Sequence, residues 1–455
     1  MHLRMRRTAV AAALALAAAL STATGTAVAD NAPDSAPAAG STARAEYFPD
    51  PAGEGRHVQV PAESPYAASG PAESPAESSA ARSADATTAA DGAVTVLSRT
   101  GPSSARMDVT IIGDGYTAAE QDDFLADARA RWAEVTAVEP YRSYTGLFNV
   151  WAVGAVSAES GISGDPSADV VKNTALGSYF WCSSTERLIC VDLDKVKTYA
   201  AKAPATDLVV VVSNSAKYGG AGYSELGSGY PFAGVSTLSS DNSRSSLIAA
   251  HEIGHSIGLL ADEYTYDSYG TYTGAEPVEP NSTVRTAAQL ASARTKWYRW
   301  LGETDPSGGT VGTYTGSSYY PLGVHRPTAG SLMRSLSTDK FNLPGREAMI
   351  SGFYRYASPL TADATDAPVK RGQSVTVSLA TLAAGLSELD LRWYVDGTEA
   401  VQARGRTTVV PRRLGVPADG RAHTLTARVT DTTASLRDPK AKTAATDSLS
   451  WSVIR

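Results

Sequence analysis

The sequence predicts an α+β domain built on a mixed β-sheet, followed by an all-β immunoglobulin-like sandwich. From about residue 93, apolar runs typical of strands alternate with a segment of helical periodicity. A continuous β-branched run at 207–213 is typical of a strand buried on both faces of a sheet. After Pro359 only short strand-like runs separated by turn signals follow. We therefore expect a first domain over residues 93–357 and a sandwich over 358–455.

The first 29 residues have the composition of a secretory signal peptide. Three arginines within the first seven residues precede the apolar run Thr8–Leu20, which is too short to span a bilayer. The small residues Ala27-Val28-Ala29 match a cleavage signal, so we expect the chain to be cut before Asp30. This predicts a secreted, extracellular protein with no membrane span.

Residues 30–92 are expected to be a disordered leader or a pro-segment. They are rich in Ala, Ser, Pro and Glu, and such a composition buries too little apolar surface to offset chain entropy. An apolar island at Tyr47, Phe48 and Val58–Val60 is a candidate for docking on the folded body. The segment contains no cysteine, so it cannot present a thiol to a metal.

Composition excludes several classes of protein. The formal net charge is −7 and no Lys/Arg cluster supplies a basic face, which argues against a nucleic-acid partner. Two cysteines exclude a disulfide scaffold and a four-cysteine zinc site. Because export implies an oxidising compartment, we expect Cys182 and Cys190 to form a disulfide. The sequence gives no indication of the oligomeric state.

The periodicity of the first domain places its elements in order. Strands are expected at Val94–Leu97, Met107–Ile112 and Phe148–Val156, and a helix at Ala118–Val138. Residues 265–343 are dense in Gly, Tyr, Ser, Thr and Pro, and loops of that length usually shape a site.

The C-terminal hundred residues read as a separate β unit. Strands are expected at 374–378, 389–395, 407–410, 423–429 and 448–454. Asp396-Gly397 is a hairpin-type turn signal. The unit contains no recognisable chemical motif, and we expect it to fold by itself.

The segment His251-Glu252-Ile253-Gly254-His255 has the H-E-x-x-H pattern. On a helix, positions i and i+4 lie about 40° apart around the axis and one turn apart along it, so both imidazoles reach one metal ion. Glu252 lies at the edge of that face, where it can accept a proton from a metal-bound water. We expect one catalytic Zn²⁺, with His251 and His255 as ligands and Glu252 as general base.

A catalytic zinc needs a third protein ligand. On a straight helix Asp262 would lie about 10 Å along the axis from His255, so the helix must break. We expect the break near Gly258, and Asp262 to be the third ligand. Glu263 is the close competitor and His325 a weaker one.

Two glutamates further on are poorer candidates for the third ligand. Glu276 and Glu279 lie among prolines, where a ligand-bearing helix is not expected.

A further motif supports the metal site. Ser331-Leu332-Met333-Arg334 looks like the Met-turn that lies beneath a metzincin zinc site.

These motifs together resemble the bacterial IgA-peptidase family of zinc metalloendopeptidases. The resemblance covers roughly residues 93–357 and rests on the segments Ile112–Thr117 with Glu120, Gln121 and Phe124; Glu159–Gly161; Tyr218–Gly220; and His251–Tyr264. It implies a zincin or metzincin-like fold, with His251, His255 and Asp262 as ligands and Glu252 as general base. It does not imply that immunoglobulin A is the substrate.

The sequence therefore predicts a secreted zinc endopeptidase acting on protein or peptide substrates. Either a tyrosine or His325 from the irregular loops is expected to steady the oxyanion, and Tyr218–Ser224 to border the substrate cleft. The alternatives are another exported zinc hydrolase, such as a peptidoglycan amidase, and a non-catalytic extracellular binding protein.

Overall fold

A computed structural model describes residues 42–67, 90–223, 226–363, 367–382 and 389–454. The expected signal peptide, residues 1–29, lies outside the described residues, as do 30–41 and 68–89 of the expected leader. Among the described residues, no helix combines the length and the hydrophobicity that crossing a membrane requires.

One mixed sheet of eight strands forms the centre of the molecule. Its strands are β1 Thr42–Tyr47, β2 Arg56–Pro61, β3 Ala93–Ser98, β4 Met107–Tyr116, β5 Phe148–Val156, β6 Leu208–Ser213, β7 Gly220–Tyr223 and β8 Val235–Ser239. Their order is β2-β1-β7-β8-β6-β4-β5-β3. The neighbours β5, β4, β6 and β8 run parallel, and the outer pairings are antiparallel.

Helices cover both faces of this sheet. The bounds of the α-helices in the described part of the chain are α1 Gln121–Ala137, α2 Leu193–Ala200, α3 Ser245–Ser256, α4 Ala287–Ala293, α5 Leu343–Tyr356 and α6 Pro439–Ala444. Each face of the sheet has its own hydrophobic core, and alternate residues of β6 point into one or the other. Val210 and Val212 pack with α1, α3 and α5, whereas Val209 and Val211 pack with α2. A strand buried on both faces needs apolar residues at every position, which explains the continuous β-branched run.

The expectation of disorder over 30–92 does not hold for residues 42–67. β1 pairs antiparallel with β2 and also with β7, so this segment extends the main sheet. The apolar island explains the difference, because Phe48 is 1% exposed and Ala45 and Val60 are fully buried. Buried apolar area of this kind stabilises a segment whose average composition is polar.

The irregular region holds one small hairpin, β9 Tyr314–Ser317 with β10 Tyr320–Arg326. The short helix α4 also lies in this region and ends at Ala293. Cys182 and Cys190 form a disulfide, which confirms the expected pairing.

The C-terminal part is mainly β. Its strands are β11 Leu360–Thr361, β12 Val369–Lys370, β13 Val375–Thr376, β14 Ser378–Leu379, β15 Leu389–Val395, β16 Thr398–Glu399, β17 Thr408–Val409, β18 His423–Asp431 and β19 Thr446–Ile454. Five form a sheet in the order β12-β19-β18-β15-β16, and two further pairs are β11-β14 and β13-β17. Trp393 and Trp451 stack inside it with ring centroids 5.8 Å apart.

This C-terminal part is not an isolated unit, which differs from the expectation. Leu436, Ala441 and Ala445 belong to the same buried cluster as α1, α3 and α5. The fully buried Asp431 accepts hydrogen bonds from the hydroxyls of Tyr144 and Tyr354, both at 2.8 Å. Since these two tyrosines precede residue 358, the two parts share a core and a buried polar contact.

Candidate metal centre

Helix α3 carries the H-E-x-x-H segment on the face directed away from the apolar core. Ile248, Ala249 and Ile253 are buried in the main core, so the opposite face presents the two histidines. Gly254 is the fourth residue of the motif, and a Cβ there would lie 2.6 Å from the Sδ of Met333. The methionine of the expected Met-turn therefore packs directly against the helix.

Both histidines are oriented by backbone carbonyls. Nδ1 of His251 lies 2.9 Å from the carbonyl oxygen of Leu332, and Nδ1 of His255 lies 2.7 Å from that of Leu260. Because a carbonyl only accepts, each neutral imidazole carries its proton on Nδ1 and keeps Nε2 free as an electron-pair donor. The two Nε2 atoms lie 3.0 Å apart.

The helix ends in a way that returns the chain to these histidines. α3 ends at Ser256, and the N–H of Leu260 donates to the carbonyl of Gly254. The positive φ falls at Leu259, with φ of 52°, rather than at Gly258 as expected. Gly258 is required for space instead, since a Cβ there would lie 2.6 Å from the Gly254 carbonyl oxygen.

The reversed chain brings Asp262 to the histidines. Its Oδ1 lies 3.2 Å from Nε2 of His251 and 3.3 Å from Nε2 of His255. Oδ2 accepts a hydrogen bond of 2.7 Å from the hydroxyl of Tyr319 and lies 3.3 Å from Nε2 of His57. The carboxylate is buried, with Oδ1 directed at the histidines and Oδ2 anchored.

Glu263, the competitor for the third position, points elsewhere. Its carboxylate accepts hydrogen bonds from Ser331 Oγ at 2.7 Å, Asn342 Nδ2 at 2.9 Å and Asn281 Nδ2 at 3.0 Å. It therefore joins the chain reversal to the Met-turn and to the start of α5, where Asn342 is the N-cap.

The other alternative ligands also lie outside the group. His325 pairs through its backbone with Thr283 and is not among the clustered side chains. Glu276 accepts a hydrogen bond from Thr283, and Glu279 lines the cleft without joining the group.

The structure adds a carboxylate that the sequence did not indicate. Glu46 of β1 is 3% exposed, and its Oε1 and Oε2 lie 3.3 Å from His251 Nε2 and 3.2 Å from His255 Nε2. Its Oε1 also accepts a hydrogen bond of 2.8 Å from Tyr264. Among the described residues, the donor atoms of Glu46, His251, His255 and Asp262 all lie within 4.8 Å of one another.

This donor set fits a metal ion. Two unprotonated nitrogens and two carboxylates meet in a buried space, and four acceptors require a positive charge between them. Oδ1 of Asp262 is buried and makes no hydrogen bond in the described part of the chain. Without a cation, protons must supply the charge: burial alone would lower the pKa of His251, but Glu46 and Asp262 raise that pKa to about 10.

Glu252 lies beside this group rather than in it. It is 2% exposed, and its Oε1 has no hydrogen-bond partner among the described residues. Burial raises the pKa of Glu252 well above its ordinary range, and the charge of Glu46 adds to the rise. Gly222 of β7 makes room for it, because a Cβ there would overlap the Glu252 carboxylate.

A cleft of about 870 Å³ opens at the group. Gly222, His255 and Tyr319 line it near the donor atoms, and Lys440 and Ala441 of the C-terminal part line its far side. Of the run 218–224 expected at the cleft, Gly222 lies there. A buried metal-binding group with a carboxylate beside it, next to a cleft, is the arrangement that metal-dependent hydrolases use.

The family comparison identifies the class more closely. The sequence profile described as IgA Peptidase M64 matches residues 95–309 and 301–353, which is more than half of the 455 residues. The chain belongs to this peptidase family, as the resemblance predicted. A search of curated proteins finds no matching sequence.

Sequence reasoning missed Glu46 and His57, which the fold brings to the site. Neither belongs to a recognisable motif, and Glu46 precedes His251 by more than two hundred residues. The only signal was the apolar island around Tyr47 and Phe48, which indicated docking but not its location.

Proposed function

We propose that the chain is a secreted zinc-dependent endopeptidase that hydrolyses peptide bonds, with Glu252 as general base. The observation that carries the proposal is the convergence of His251, His255 and Asp262 in a buried group, with the Glu252 carboxylate buried beside it and its Oε1 without a hydrogen-bond partner among the described residues. Two histidines and one carboxylate form a ligand set that catalytic zinc sites use.

In this proposal His251, His255 and Asp262 hold the metal. A zinc ion there would act as a Lewis acid and bring the pKa of a bound water toward about 7. The carbonyls of Leu332 and Leu260 keep the imidazoles in the required tautomer. Tyr319 holds the remaining Asp262 oxygen, so that Oδ1 stays directed at the centre.

Glu252 moves the proton. Its Oε1 has no competing donor in the described part of the chain, so it is free to accept a proton from the attacking water. Once protonated, the same carboxyl group can pass that proton to the leaving amine. Gly222 leaves the carboxylate the space to do both.

We propose extended protein segments as substrates, and that the Tyr319 hydroxyl turns from Asp262 to the developing oxyanion during the reaction. The lining of the cleft extends to Lys440 and Ala441 of the C-terminal part and includes Tyr319. The family match favours a peptidase over a peptidoglycan amidase. A non-catalytic binding protein would not need both a complete donor set and a buried carboxylate beside it.

We propose secretion from the N-terminal sequence, and the disulfide of the folded part supports it. Residues 1–29 have the signal-peptide pattern. The disulfide between Cys182 and Cys190 suits an oxidising compartment.

The experiment combines Glu252→Gln with metal analysis. Cleavage of a peptide library is measured with and without a chelator. Two forms of the protein are tested: the full chain, and a chain cut at a protease site inserted between Ala67 and Ala90. We expect Glu252→Gln to keep zinc and to lose at least about a hundredfold in rate, since an amide cannot act as the base. Glu186→Gln, at an exposed carboxylate, is the control. Chelator-resistant cleavage, or near-full activity of zinc-loaded Glu252→Gln, would show the proposal to be wrong.

A further inference from the structure

Strand β1 occupies an edge of the main sheet that an extended peptide could otherwise use. β7 pairs with β8 on one side and with β1 on the other, where Glu46 lies opposite Gly222. Without β1, β7 would be an edge strand beside the cleft, with free backbone groups. Extended peptides bind to such edges by adding a strand.

One side chain of β1, that of Glu46, reaches the metal-binding group. Both carboxylate oxygens of Glu46 face the histidines at 3.2–3.3 Å. Gly55, in the turn after β1, allows this approach, because a Cβ there would overlap Glu46 Oε1. The turn and strand together direct a carboxylate at the place where a reacting group must bind.

The number of protein ligands that a catalytic zinc needs distinguishes Glu46 from the other three residues of the metal-binding group. A catalytic zinc has three protein ligands and an exchangeable fourth position, whereas four protein ligands close a site. His251, His255 and Asp262 lie within the family match, which begins at residue 95. Glu46 lies outside that match, so the catalytic unit has three ligands of its own and the fourth comes from the segment before it.

We propose that residues 42–61 are an internal inhibitor, in which β1 fills the peptide-binding edge of β7 and Glu46 occupies the fourth metal position. The inference rests on the proposed peptidase function and adds its regulation. The full chain is latent, and it becomes active when the link between this segment and the catalytic unit is cut and the segment leaves.

The contacts of the segment explain why cutting is needed. Phe48 packs edge-on against the His251 ring, with centroids 4.9 Å apart. The carbonyls of Ala52 and Gly53 accept hydrogen bonds from Ser335 Oγ at 2.9 Å and from the N–H of Leu336 at 3.1 Å. A tethered segment competes at a millimolar effective concentration, so a peptide substrate cannot displace it until it becomes separate and dilute.

The first arm of the test measures access to the metal without turnover. The full chain is loaded with Co²⁺, and its visible absorption is followed as acetohydroxamate, a small metal-binding probe, is added. We expect Glu46→Gln to bind the probe at least about tenfold more tightly than the unmodified chain, a difference of about 1.4 kcal/mol. Glu54→Gln is the matched control, because Glu54 is an exposed carboxylate of the same segment.

The second arm measures turnover with the protease site between Ala67 and Ala90. Peptide cleavage should rise at least about tenfold after cutting and dilution, and excess synthetic peptide 42–61 should reverse the rise. This arm needs no change at Glu46, so it remains informative if Glu46→Gln folds poorly.

The outcomes separate the inference from the proposed function. If the uncut chain cleaves peptides and binds the probe as well as Glu46→Gln does, the inhibitor is excluded and the peptidase stands. If Glu46→Gln loses Co²⁺ while Glu54→Gln retains it, Glu46 is a permanent ligand and the inference is wrong. If Glu46→Gln alone binds the probe but no form cleaves peptides, the proposed function fails while the metal contact of Glu46 is supported.

Discussion

Asp262 and Glu263 are adjacent carboxylates for which the structure assigns opposite roles. Asp262→Ala removes a carboxylate whose Oδ1 lies 3.2 Å and 3.3 Å from the two histidine nitrogens. Glu263→Ala instead leaves three buried donors without their acceptor, those of Ser331, Asn281 and Asn342. The first change should therefore weaken metal binding, and the second should weaken folding.

The magnitudes follow from these contacts. Unsatisfied buried donors cost about 1–3 kcal/mol each, so Glu263→Ala should lower the free energy of unfolding by about 3–9 kcal/mol, toward the lower end if water enters. Asp262→Ala loses a direct ligand, and zinc affinity should fall by more than the roughly 10–100-fold typical of outer-shell changes.

Two measurements distinguish the variants. Zinc affinity is measured by competition with a chromogenic chelator, and stability by urea unfolding of the metal-free proteins. Removing the metal matters because a bound ion stabilises the folded state by itself. If Glu263→Ala loses zinc more strongly than Asp262→Ala while remaining as stable as the unmodified protein, the assignment of the two carboxylates is reversed.

Three further predictions concern the surroundings of the site. Gly222→Ala should retain zinc but lose peptide cleavage, because the new Cβ overlaps the Glu252 carboxylate; equal activity in a peptide assay would contradict this. Tyr319→Phe should lower kcat by about tenfold or more, as loss of an oxyanion donor does, with a smaller change in zinc affinity; a purely structural role would affect zinc affinity alone. A chain ending at residue 357 should melt at lower temperature or fail to fold, because it exposes the surface that Leu436, Ala441 and Ala445 cover; a melting temperature equal to that of the full chain would show that the parts fold separately.

Local sequence pattern accounts for much of the catalytic part. The spacing of His251 and His255 could be interpreted from the geometry of one helix turn alone. The run 207–213 could be interpreted from the need for apolar residues in a strand that is buried on both faces. The chain reversal that returns Asp262 could be foreseen, but its left-handed residue could not. Leu259 takes that conformation, while Gly258 is needed for close packing.

The remaining features depend on contacts between distant parts of the chain. Glu46 reaches the site because a short strand adds to the edge of β7, and a single carboxylate in a polar segment gives no periodic signal. The C-terminal part joins the main core through a few residues, among them Leu436 and Ala441, whose sequence pattern does not indicate which surface they cover. Tertiary packing, rather than local propensity, decides both.

The most direct test of the proposed metal centre is anomalous diffraction at the zinc edge from crystals of the zinc-loaded full chain. We expect one strong peak at about 2.0–2.2 Å from Nε2 of His251, Nε2 of His255 and a carboxylate oxygen of Asp262. Glu252 should lie beside the peak without contacting it. A zinc peak bound by Glu263 or His325, or no peak at these histidines in protein that cleaves peptides, would contradict the account.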